Sequence, residues 1–254
     1  MSLFDAPVDL GRLKLVVAYD GTDFRGYAIQ RDQRTVAGEI KAAIEKITQT
    51  PVELTGAGRT DAGVHAWGQV VTGDIPSGFD LRKLQNSLNS MLNPQIVIRS
   101  AEFVDADFDA RFSAKWRAYR YTIVNRRALD PFRDRYTWWV ETPLDFKRLQ
   151  LGSDVFIGEH DFASFSRKGP TGSSSVRLVL DSRWVEEGDG ILRYEIRATS
   201  FCWQMVRSIV GTLVDVGIGK TKPGEIMGIL AAKDRATASQ VAPATGLCLW
   251  EVGY

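Results

Sequence analysis

The sequence predicts an α+β protein of two subdomains, each combining antiparallel strands with amphipathic helices. Its 254 residues exceed the roughly 150 of an average domain, which favours two small domains over one large domain. With 44% apolar and 25% charged residues, the composition is that of a globular protein and excludes a wholly disordered chain. Apolar patterns with the periods of strands and of helices follow one another along the chain, which indicates a mixed fold.

The first subdomain, residues 1–105, is predicted to follow the order strand, helix, strand, strand, helix, strand. Apolar stretches over residues 13–21, 51–58 and 68–75 give three strands, and residues 96–104 give the fourth. The helices are recognised from apolar residues at helical spacing: Val36, Ile40, Ala43, Ile44 and Ile47 in the first, and Leu81, Leu84, Leu88 and Met91 in the second. This order is the split βαβ arrangement, which has an antiparallel sheet.

The second subdomain, residues 106–254, is predicted to begin with a crossing segment and a long strand over residues 114–124. Side chains alternate along a strand, so one face of it is expected to carry four residues: Lys115, Arg117, Tyr119 and Tyr121. A polar loop follows, and the remaining patterns predict further elements: strands over residues 175–185 and 191–198, a helix over residues 204–217, a helix opened by Pro223, and a strand over residues 247–252. The two halves are predicted to share one architecture.

Several classes of protein are disfavoured by the sequence. No window approaches the ~18 consecutive apolar residues of a membrane-spanning helix, and the N-terminal residues lack the pattern of a secretion signal. Cys202 and Cys248 are isolated in apolar stretches, which disfavours a disulfide framework or a thiolate zinc site. With only His65 and His160, a histidine-rich metal site is also disfavoured. We therefore expect a soluble cytoplasmic protein with reduced thiols and without a metal or a membrane partner.

The charged residues are nearly balanced, with 32 basic against 31 acidic, which argues against a histone-like or polybasic protein. Residues 111–135 are an exception, because eight basic side chains stand there against Asp130 and Asp134. We call these residues the basic segment. Aromatic residues lie among its cations, a combination that can neutralise phosphates and stack the bases of single-stranded nucleic acid. A solvated, positively charged hairpin is an equally good interpretation of the segment alone.

The strongest candidate for chemistry is the polar turn within residues 56–70, where four glycines occur in thirteen positions. Glycines let a backbone take conformations that other residues avoid, and they let a substrate approach closely. Asp61 stands at the centre of the turn, either as a functional carboxylate or as a cap of its own backbone. Two phosphate-binding motifs fail, because Asp61 replaces the third glycine of a dinucleotide fingerprint and Gly219-Lys220-Thr221 follows a helix.

This turn resembles the catalytic signature of the tRNA pseudouridine synthase A family, in the segment Gly58-Arg59-Thr60-Asp61-Ala62-Gly63-Val64-His65-Ala66 followed by Gly68-Gln69-Val70. Further segments match the family in order over nearly the whole chain: Tyr19-Asp20-Gly21-Thr22 with Phe24 and Gly26, Ala110-Arg111-Phe112-Ser113, Arg117 with Tyr119 and Tyr121, Gly158-Glu159-His160-Asp161-Phe162 with Phe165, Gln204-Met205-Val206-Arg207 with Gly211, and Gly246-Leu247. One segment departs, because Gly26-Tyr27-Ala28 stands where the family has Gly-Trp-Gln. The details of substrate recognition are therefore open.

The resemblance implies two subdomains of the split βαβ type, as in ferredoxin-like and RRM folds, which share an extended antiparallel sheet. It also implies helices on one side of that sheet and an active-site cleft between the subdomains. The implied activity is isomerisation of uridine to pseudouridine in tRNA, without a metal or an organic cofactor. Asp61 corresponds to the essential aspartate of the family, which acts on either the base or the sugar. Tyr119 corresponds to the active-site tyrosine, and Arg207 is the expected cationic partner of Asp61.

The remaining expectations concern the RNA. Basic and polar residues near the matching segments are expected to contact it: Arg25, Arg59, His65, Arg111, Lys115, Arg117 and Arg126. The family modifies uridines at positions 38–40 of the anticodon stem-loop and acts as a homodimer, so base flipping and a homodimer are expected here. Two alternatives remain: a paralogue that acts on another RNA or a small uridine compound, and a catalytically idle RNA-binding protein on the same scaffold.

Overall fold

A computed structural model of the chain describes residues 9–167, 169 and 173–254. They form two compact units. The first unit ends at Ala114 and also includes Tyr254, and the second unit comprises Lys115–Gly253. Each unit combines helices with a mainly antiparallel sheet, as the sequence predicts.

The boundary between the units lies after residue 114, whereas the sequence predicts one after residue 105. The difference has a physical cause in Ala110, which is fully buried. Its N–H donates to the Thr72 hydroxyl at 3.2 Å, and its carbonyl accepts from the Tyr254 hydroxyl at 2.8 Å. These two hydrogen bonds fasten the crossing segment to the first unit.

The described part of the first unit forms strands and helices in the predicted split βαβ order: β1 (Leu10–Tyr19), α1 (Val36–Thr48), β2 (Thr55–Gly56), β3 (His65–Pro76), α2 (Leu81–Leu92) and β4 (Ile96–Val104). Strand β1 lies between β3 and β4, β2 pairs with β3, and all of these pairings are antiparallel. Strand β2 is shorter than predicted because the Glu45 carboxylate, and not a neighbouring strand, accepts the Val52 N–H at 3.0 Å.

Both helices of the first unit begin at a capping side chain. The Thr35 hydroxyl accepts from Gly38 N–H at 3.3 Å, and the Asp80 carboxylate accepts from the N–H groups of Arg82 and Lys83 at 3.0 and 3.1 Å. Such caps satisfy backbone donors that a helix leaves unpaired at its N-terminus. The apolar residues of the predicted patterns then form the core, almost without exposure: Leu13, Leu15, Val17, Ile40, Ile44, Leu84, Leu88, Ile96 and Ile98.

The described part of the second unit adds further elements: β5 (Trp116–Val124), β6 (Trp138–Trp139), α3 (Phe146–Asp154), β7 (Gly158–Asp161), β8 (Val176–Gly188), β9 (Ile191–Ala198), α4 (Met205–Gly217), α5 (Glu225–Ala232) and β10 (Leu247–Gly253). Its sheet has the order β10, β5, β9, β8, β7, with antiparallel neighbours, and the short β6 pairs in parallel with β5. The sequence predicts all of these elements except β6, α3 and β7.

Helix α4 forms the centre of the second unit. Every residue of it is buried except Arg207 and Asp215, as its apolar sequence predicts. Gly211 is required there, because a Cβ at this position would collide with the carbonyl of Gln240. The close approach brings the segment that follows Gln240 alongside the helix.

Two features bear on the predicted protein class. Within the residues that the structure describes, no helix is long and apolar enough to cross a membrane. Neither Cys202 nor Cys248 forms a disulfide within the described residues, and burial raises the pKa of the Cys202 thiol.

Candidate active site

The Asp61 turn connects β2 to β3, and its backbone is fixed at both ends. Ala57 N–H donates to the carbonyl of Val70 at 2.8 Å, and the Gln69 side-chain amide donates to the carbonyl of Gly58 at 2.7 Å. Within the turn, Val64 N–H donates to the carbonyl of Asp61 at 3.1 Å. Asp61 itself is half-buried. The backbone that carries the carboxylate is therefore fixed in place, and a catalytic group needs such a fixed position.

Thr60, the residue before Asp61, forms hydrogen bonds with two tyrosines. Its hydroxyl lies 2.8 Å from the Tyr19 hydroxyl, and its carbonyl accepts from Tyr27 N–H at 3.1 Å. Gly26 has a φ of +97°, and a Cβ there would stand 2.9 Å from the Thr60 carbonyl oxygen. The segment around Gly26 therefore supports the catalytic turn, which gives a physical reason for its place in the family pattern.

The turn at Asp20 and Gly21 supports the other end of the Asp61 turn. The Asp20 carboxylate accepts from the N–H and the hydroxyl of Thr22, at 3.0 and 2.6 Å. Gly21 packs so closely on Val64 that a Cβ would collide with the Val64 carbonyl. Gly21 N–H also donates to Nδ1 of His65 at 3.1 Å.

His65 is a predicted RNA contact, and the structure buries its ring, leaving 6% of the residue exposed. Nδ1 accepts from Gly21 N–H and also lies 3.3 Å from an oxygen of Asp20. One ring nitrogen cannot accept the first contact and donate to the second. In a neutral ring, acceptance of the Gly21 N–H by Nδ1 places the ring proton on Nε2. His65 thus contributes to the support of the turn, and its contact with RNA stays a prediction.

Tyr27 occupies the position of the family tryptophan, and it is only 4% exposed. Its ring packs directly on Gly56, and its buried hydroxyl has no hydrogen-bond partner among the described residues. Burial raises the pKa of Tyr27 well above its usual value, so the hydroxyl stays protonated. The residue that replaces tryptophan therefore packs against the Asp61 turn and supports it.

The other predicted RNA contacts of the first unit are exposed arginines: Arg25, Arg59 and Arg111. Arg59 lies in the Asp61 turn, two positions before Asp61, and the Arg111 guanidinium lies 5.3 Å from the centroid of the exposed Phe112 ring. All three are therefore accessible to a polyanion.

Tyr119 lies near the middle of β5, between β9 and β10. It is 9% exposed, and Phe201 packs edge-on against its ring with centroids 4.9 Å apart. Two positions earlier on the same strand, Arg117 donates to the carbonyl of Thr199 at 3.0 Å, and Lys115 is exposed just before the strand. The predicted alternation along β5 is confirmed, because Arg120 points to the opposite face, where it pairs with Glu195.

Arg207 is half-buried at the start of α4. Its Nε donates to the carbonyl of Ala242 at 2.7 Å, and its own carbonyl accepts from Ala242 N–H at 3.1 Å. Burial strongly raises the pKa of the nearby Tyr121 hydroxyl, and the Arg207 charge opposes part of that rise. The hydrogen bond to Ala242 orients the guanidinium. Its pairing with Asp61 stays a prediction, since Asp61 belongs to the first unit and Arg207 and Tyr119 to the second.

The basic segment is less available to RNA than its sequence suggests. Arg126 is expected to be an exposed phosphate contact, but its guanidinium pairs with Asp130 at 2.9 Å and with Asp189 at 2.7 Å. Arg120 and Arg133 also have carboxylate partners, at 2.9 and 3.3 Å. These ion pairs favour a structural role for the three arginines, and contact between Arg126 and RNA remains a prediction.

Sequence reasoning does not identify the residues that support the turn. Tyr19 and Gln69 belong to segments that match the family pattern but have no assigned role there, and Tyr27 stands where the family has tryptophan. For Tyr19 and Gln69, a polar side chain within a strand pattern was the available signal. For metals, the described ranges contain no group of three or more histidine, cysteine or carboxylate side chains placed to bind an ion.

Comparison with known proteins adds to this geometry. A family model described as tRNA pseudouridine synthase matches residues 15–113 and 153–254. The tRNA pseudouridine synthase A of Brevibacillus brevis is 46% identical over 243 residues, which are 96% of this chain and 99% of the relative. That of Fervidobacterium nodosum is 39% identical, over 95% of this chain and 98% of the relative. A crystal structure of a Cbf5-Nop10-Gar1 complex covers 84% of this chain and 55% of its own at 13% identity, with a TM-score of 0.32 that supports no conclusion.

Proposed function

The chain belongs to the tRNA pseudouridine synthase family of isomerases, and from that membership we propose that it forms pseudouridine at positions 38–40 of the tRNA anticodon stem-loop. The observation that carries this proposal is the Asp61 turn, which has the family signature and a backbone fixed on both sides. An idle RNA-binding protein would not need a carboxylate held in this way.

The reaction conserves all atoms of the nucleotide. The N1–C1′ bond breaks, the base turns, a C5–C1′ bond forms, the proton on C5 leaves and N1 gains a proton. No oxidant or reductant is consumed, and we assign no cofactor to the enzyme. Asp61 is the proposed catalytic residue, and it acts as a carboxylate on either the base or the sugar.

Tyr119 and Arg207 are the two further residues that we assign to catalysis. Tyr119 offers a ring whose orientation is set by the edge-on contact with Phe201, and its hydroxyl is suited to assisting proton removal at C5. Arg207 offers a cation fixed by the carbonyl of Ala242, suited to stabilising an anionic partner. The role of each rests on its match to the family pattern.

The proposed substrate is tRNA, bound by a homodimer in the cytoplasm. Exposed cations support RNA binding: Arg25, Arg59, Arg111 and Lys115. A target uridine inside the stem must leave its base stack before a protein carboxylate can reach it, so base flipping belongs to the proposal.

Mapping pseudouridine in bulk tRNA from cells with and without this chain tests the proposal, because it reports substrate and position together. Loss of the modification at positions 38–40, restored by the wild-type chain and not by Asp61→Asn, is expected. The amide keeps the shape of the side chain and removes its anionic oxygen, so tRNA affinity should stay within a few fold. Asp32→Asn is the matched control, since Asp32 is a highly exposed carboxylate whose one ion pair among the described residues is with the exposed Arg31. Pseudouridine lost from another RNA instead would establish the paralogue alternative.

A further inference from the structure

A stacked pair of side chains lies on the sheet of the first unit, outside the Asp61 turn. The guanidinium carbon of Arg99 on β4 stands 4.2 Å from the ring centroid of Trp67 on β3. Nη1 of Arg99 also donates to the carbonyl of Trp67 at 3.0 Å, which fixes the stack. Trp67 is nevertheless 45% exposed, so much of the indole surface faces solvent.

Two β-bulges put this pair in place. The register between β1 and β3 shifts between Val17 and Tyr19, so that Trp67 and Gly68 together oppose Ala18. The register between β1 and β4 shifts next to it, which leaves Arg99 as the extra residue of β4. Bulges re-aim side chains, and here Arg99 reaches across β1 to the far neighbouring strand. The small Ala18 between the two strands leaves room for this crossing.

The Arg99 charge is available to an external anion. Arg12 and Arg34 in the same unit pair with Asp74 and Glu39, at 2.8 and 3.1 Å. For Arg99, by contrast, no ion pair with any carboxylate of the described residues exists at salt-bridge distance. An exposed indole with an unneutralised guanidinium stacked on it offers both a flat surface and a cation.

We propose that Trp67 and Arg99 form an RNA contact of this enzyme, separate from the catalytic residues, which takes an unpaired nucleotide of the substrate. A base stacks on the indole, and Arg99 contacts a neighbouring phosphate. The pair stands at the start of β3, which directly follows the Asp61 turn, so an RNA engaged by that turn passes close to it. This inference rests on the proposed function.

A protein partner fits the surface less well. A stable protein interface buries about 800 Å² on each partner, with a hydrophobic core. On β3 and β4, the exposed large apolar side chains among the described residues are Trp67 itself and Val97, which is 36% exposed. One indole with one charge over it matches the size and chemistry of a single nucleotide.

The test uses the full chain and an unmodified tRNA transcript. Trp67→Ala is expected to raise the Kd about tenfold, which lies within the range for loss of one base-stacking ring, and Trp67→Phe should retain most of the affinity. Arg99→Gln should flatten the dependence of log affinity on log salt by about 0.7, the value for one phosphate of a single strand. Met91→Ala is the matched control, because Met91 is 44% exposed on α2.

Two results would overturn the assignment. One is a Kd of Trp67→Ala equal to that of Met91→Ala, and the other is quenching of tryptophan fluorescence by tRNA that is as large in Trp67→Phe as in wild type. If Trp67→Ala does not fold, the other two variants test the proposal. Fluorescence quenching by tRNA is then compared between Trp67→Phe and wild type, and the salt dependence of binding between Arg99→Gln and wild type. Wild-type protein that makes no pseudouridine in any tRNA would contradict the proposed function itself, whatever these variants show.

Discussion

Tyr119 and Tyr121 lie on the same strand and the same face, yet their surroundings assign them different roles. The Tyr121 hydroxyl is buried and donates to the carbonyl of Pro243 at 2.9 Å. Burial raises its pKa so far that it cannot exchange a proton near neutral pH. Its ring also packs directly on Gly246, a position where a Cβ would collide with it. Tyr121 therefore fixes the chain that leads into β10, and the contact of Tyr119 with the substrate stays a prediction.

Removing each hydroxyl separately should show which one contributes to the reaction rate and which one contributes to the stability of the fold. We expect Tyr119→Phe to slow the single-turnover rate about a hundredfold, the usual worth of a proton-transfer group, while tRNA affinity is retained. Tyr121→Phe should instead leave a buried carbonyl unsatisfied, cost about 1 kcal/mol and lower the Tm by about 2–4 °C. Single-turnover kinetics and thermal melts of both variants make the comparison. Equal rates for Tyr119→Phe and wild type would remove the hydroxyl from the mechanism.

At the scale of elements, helix α4 and residues 240–243 beside it are joined by several close contacts. Gly211 allows the carbonyl of Gln240 to touch the helix, and two residues later Ala242 forms both of its hydrogen bonds to Arg207. Pro243 then accepts the Tyr121 hydroxyl. The position of the Arg207 guanidinium thus depends on a glycine one turn further along the same helix.

Gly211→Ala should therefore damage activity as well as stability. The added methyl must push the backbone at Gln240 away, which we expect to cost about 1–3 kcal/mol and to displace the acceptor of Arg207. Gly228→Ala on α5 is the matched control, because no atom lies within 4 Å of a Cβ there. That change should stabilise the protein by about 0.5–1 kcal/mol, the helix penalty of glycine. Urea unfolding and turnover of both variants test the contrast, and a fully active Gly211→Ala would refute the coupling.

A second feature at the scale of elements is a cluster of charged side chains in the second unit. It lies on the face of that unit's sheet opposite to the face that carries Tyr119. Glu195 on β9 pairs with Arg120, Arg183 and Arg193, at 2.9, 2.7 and 3.0 Å. The Arg120 guanidinium also lies 3.6 Å from the ring centroid of Trp250. Partial burial raises the pKa of Glu195, but the hydrogen bond from Arg183 and the three positive charges outweigh that effect, and the net shift is downward. One carboxylate thus ties together strands β5, β8 and β9.

Glu195→Gln should destabilise this sheet, because three guanidinium groups would lose the carboxylate that they share. Arg183 and Arg193 would be left with Asp181 and Glu187 as partners. We expect a lower Tm at neutral pH that recovers in part at high salt, where repulsion is screened. A carboxyl with a lowered folded pKa stabilises the fold above its unfolded value, and the stabilisation is lost as the pH falls through the folded pKa. The gap between wild type and Glu195→Gln should therefore close in acid, below about pH 4.

Glu186→Gln is the control for this measurement, since Glu186 is exposed on the same sheet and no ion pair of it is found in the described residues. Its Tm should follow the wild type at every pH. A gap for Glu195→Gln that does not change with pH would show that the cluster is held by packing and not by charge.

At the scale of the whole molecule, long periodic elements follow from the sequence and short ones do not. Helix α1 buries four of the five residues that its pattern marks and leaves Ile47 half-buried, and strand β1 buries the core face that its pattern predicts. Helix α3 was missed because part of its buried face is small and polar: Gly152 packs on Leu213, and Ser153 is fully buried. Only its capping residue, Asp145, could have indicated it.

In the candidate site, too, features that are contiguous in the sequence could be predicted, and contacts between distant residues could not. Asp61 could be identified from the local sequence, since a glycine-rich turn and a family signature are contiguous features. Its supports could not, because the contact of Tyr19 with Thr60 joins residues 41 positions apart and depends on strand register. The ion pairs that neutralise Arg126 are likewise invisible in a count of charges, since Asp189 lies 63 positions away.

The net charge of the whole chain is +1, so a tRNA cannot be held by the overall field and must be bound by local cations. Within the basic segment, this makes Arg127 a better phosphate contact than Arg126. Arg127 is exposed and has no carboxylate partner in the described part of the chain, whereas Arg126 has two. The two adjacent arginines form a natural comparison.

We expect Arg127→Gln to weaken the binding of all tRNAs about equally and to flatten the plot of log affinity against log salt by about 0.9, which is one phosphate contact on a duplex. Turnover of bound substrate should hardly change, because such a contact contributes uniform binding. Arg126→Gln should leave that slope unaltered and lower the Tm, since it leaves Asp130 and Asp189 without their shared cation. Salt titrations of binding, with thermal melts of both variants, distinguish the two roles. A slope that changes for Arg126→Gln and not for Arg127→Gln would reverse the assignment, because the ion pairs of Arg126 would then have to open when RNA binds.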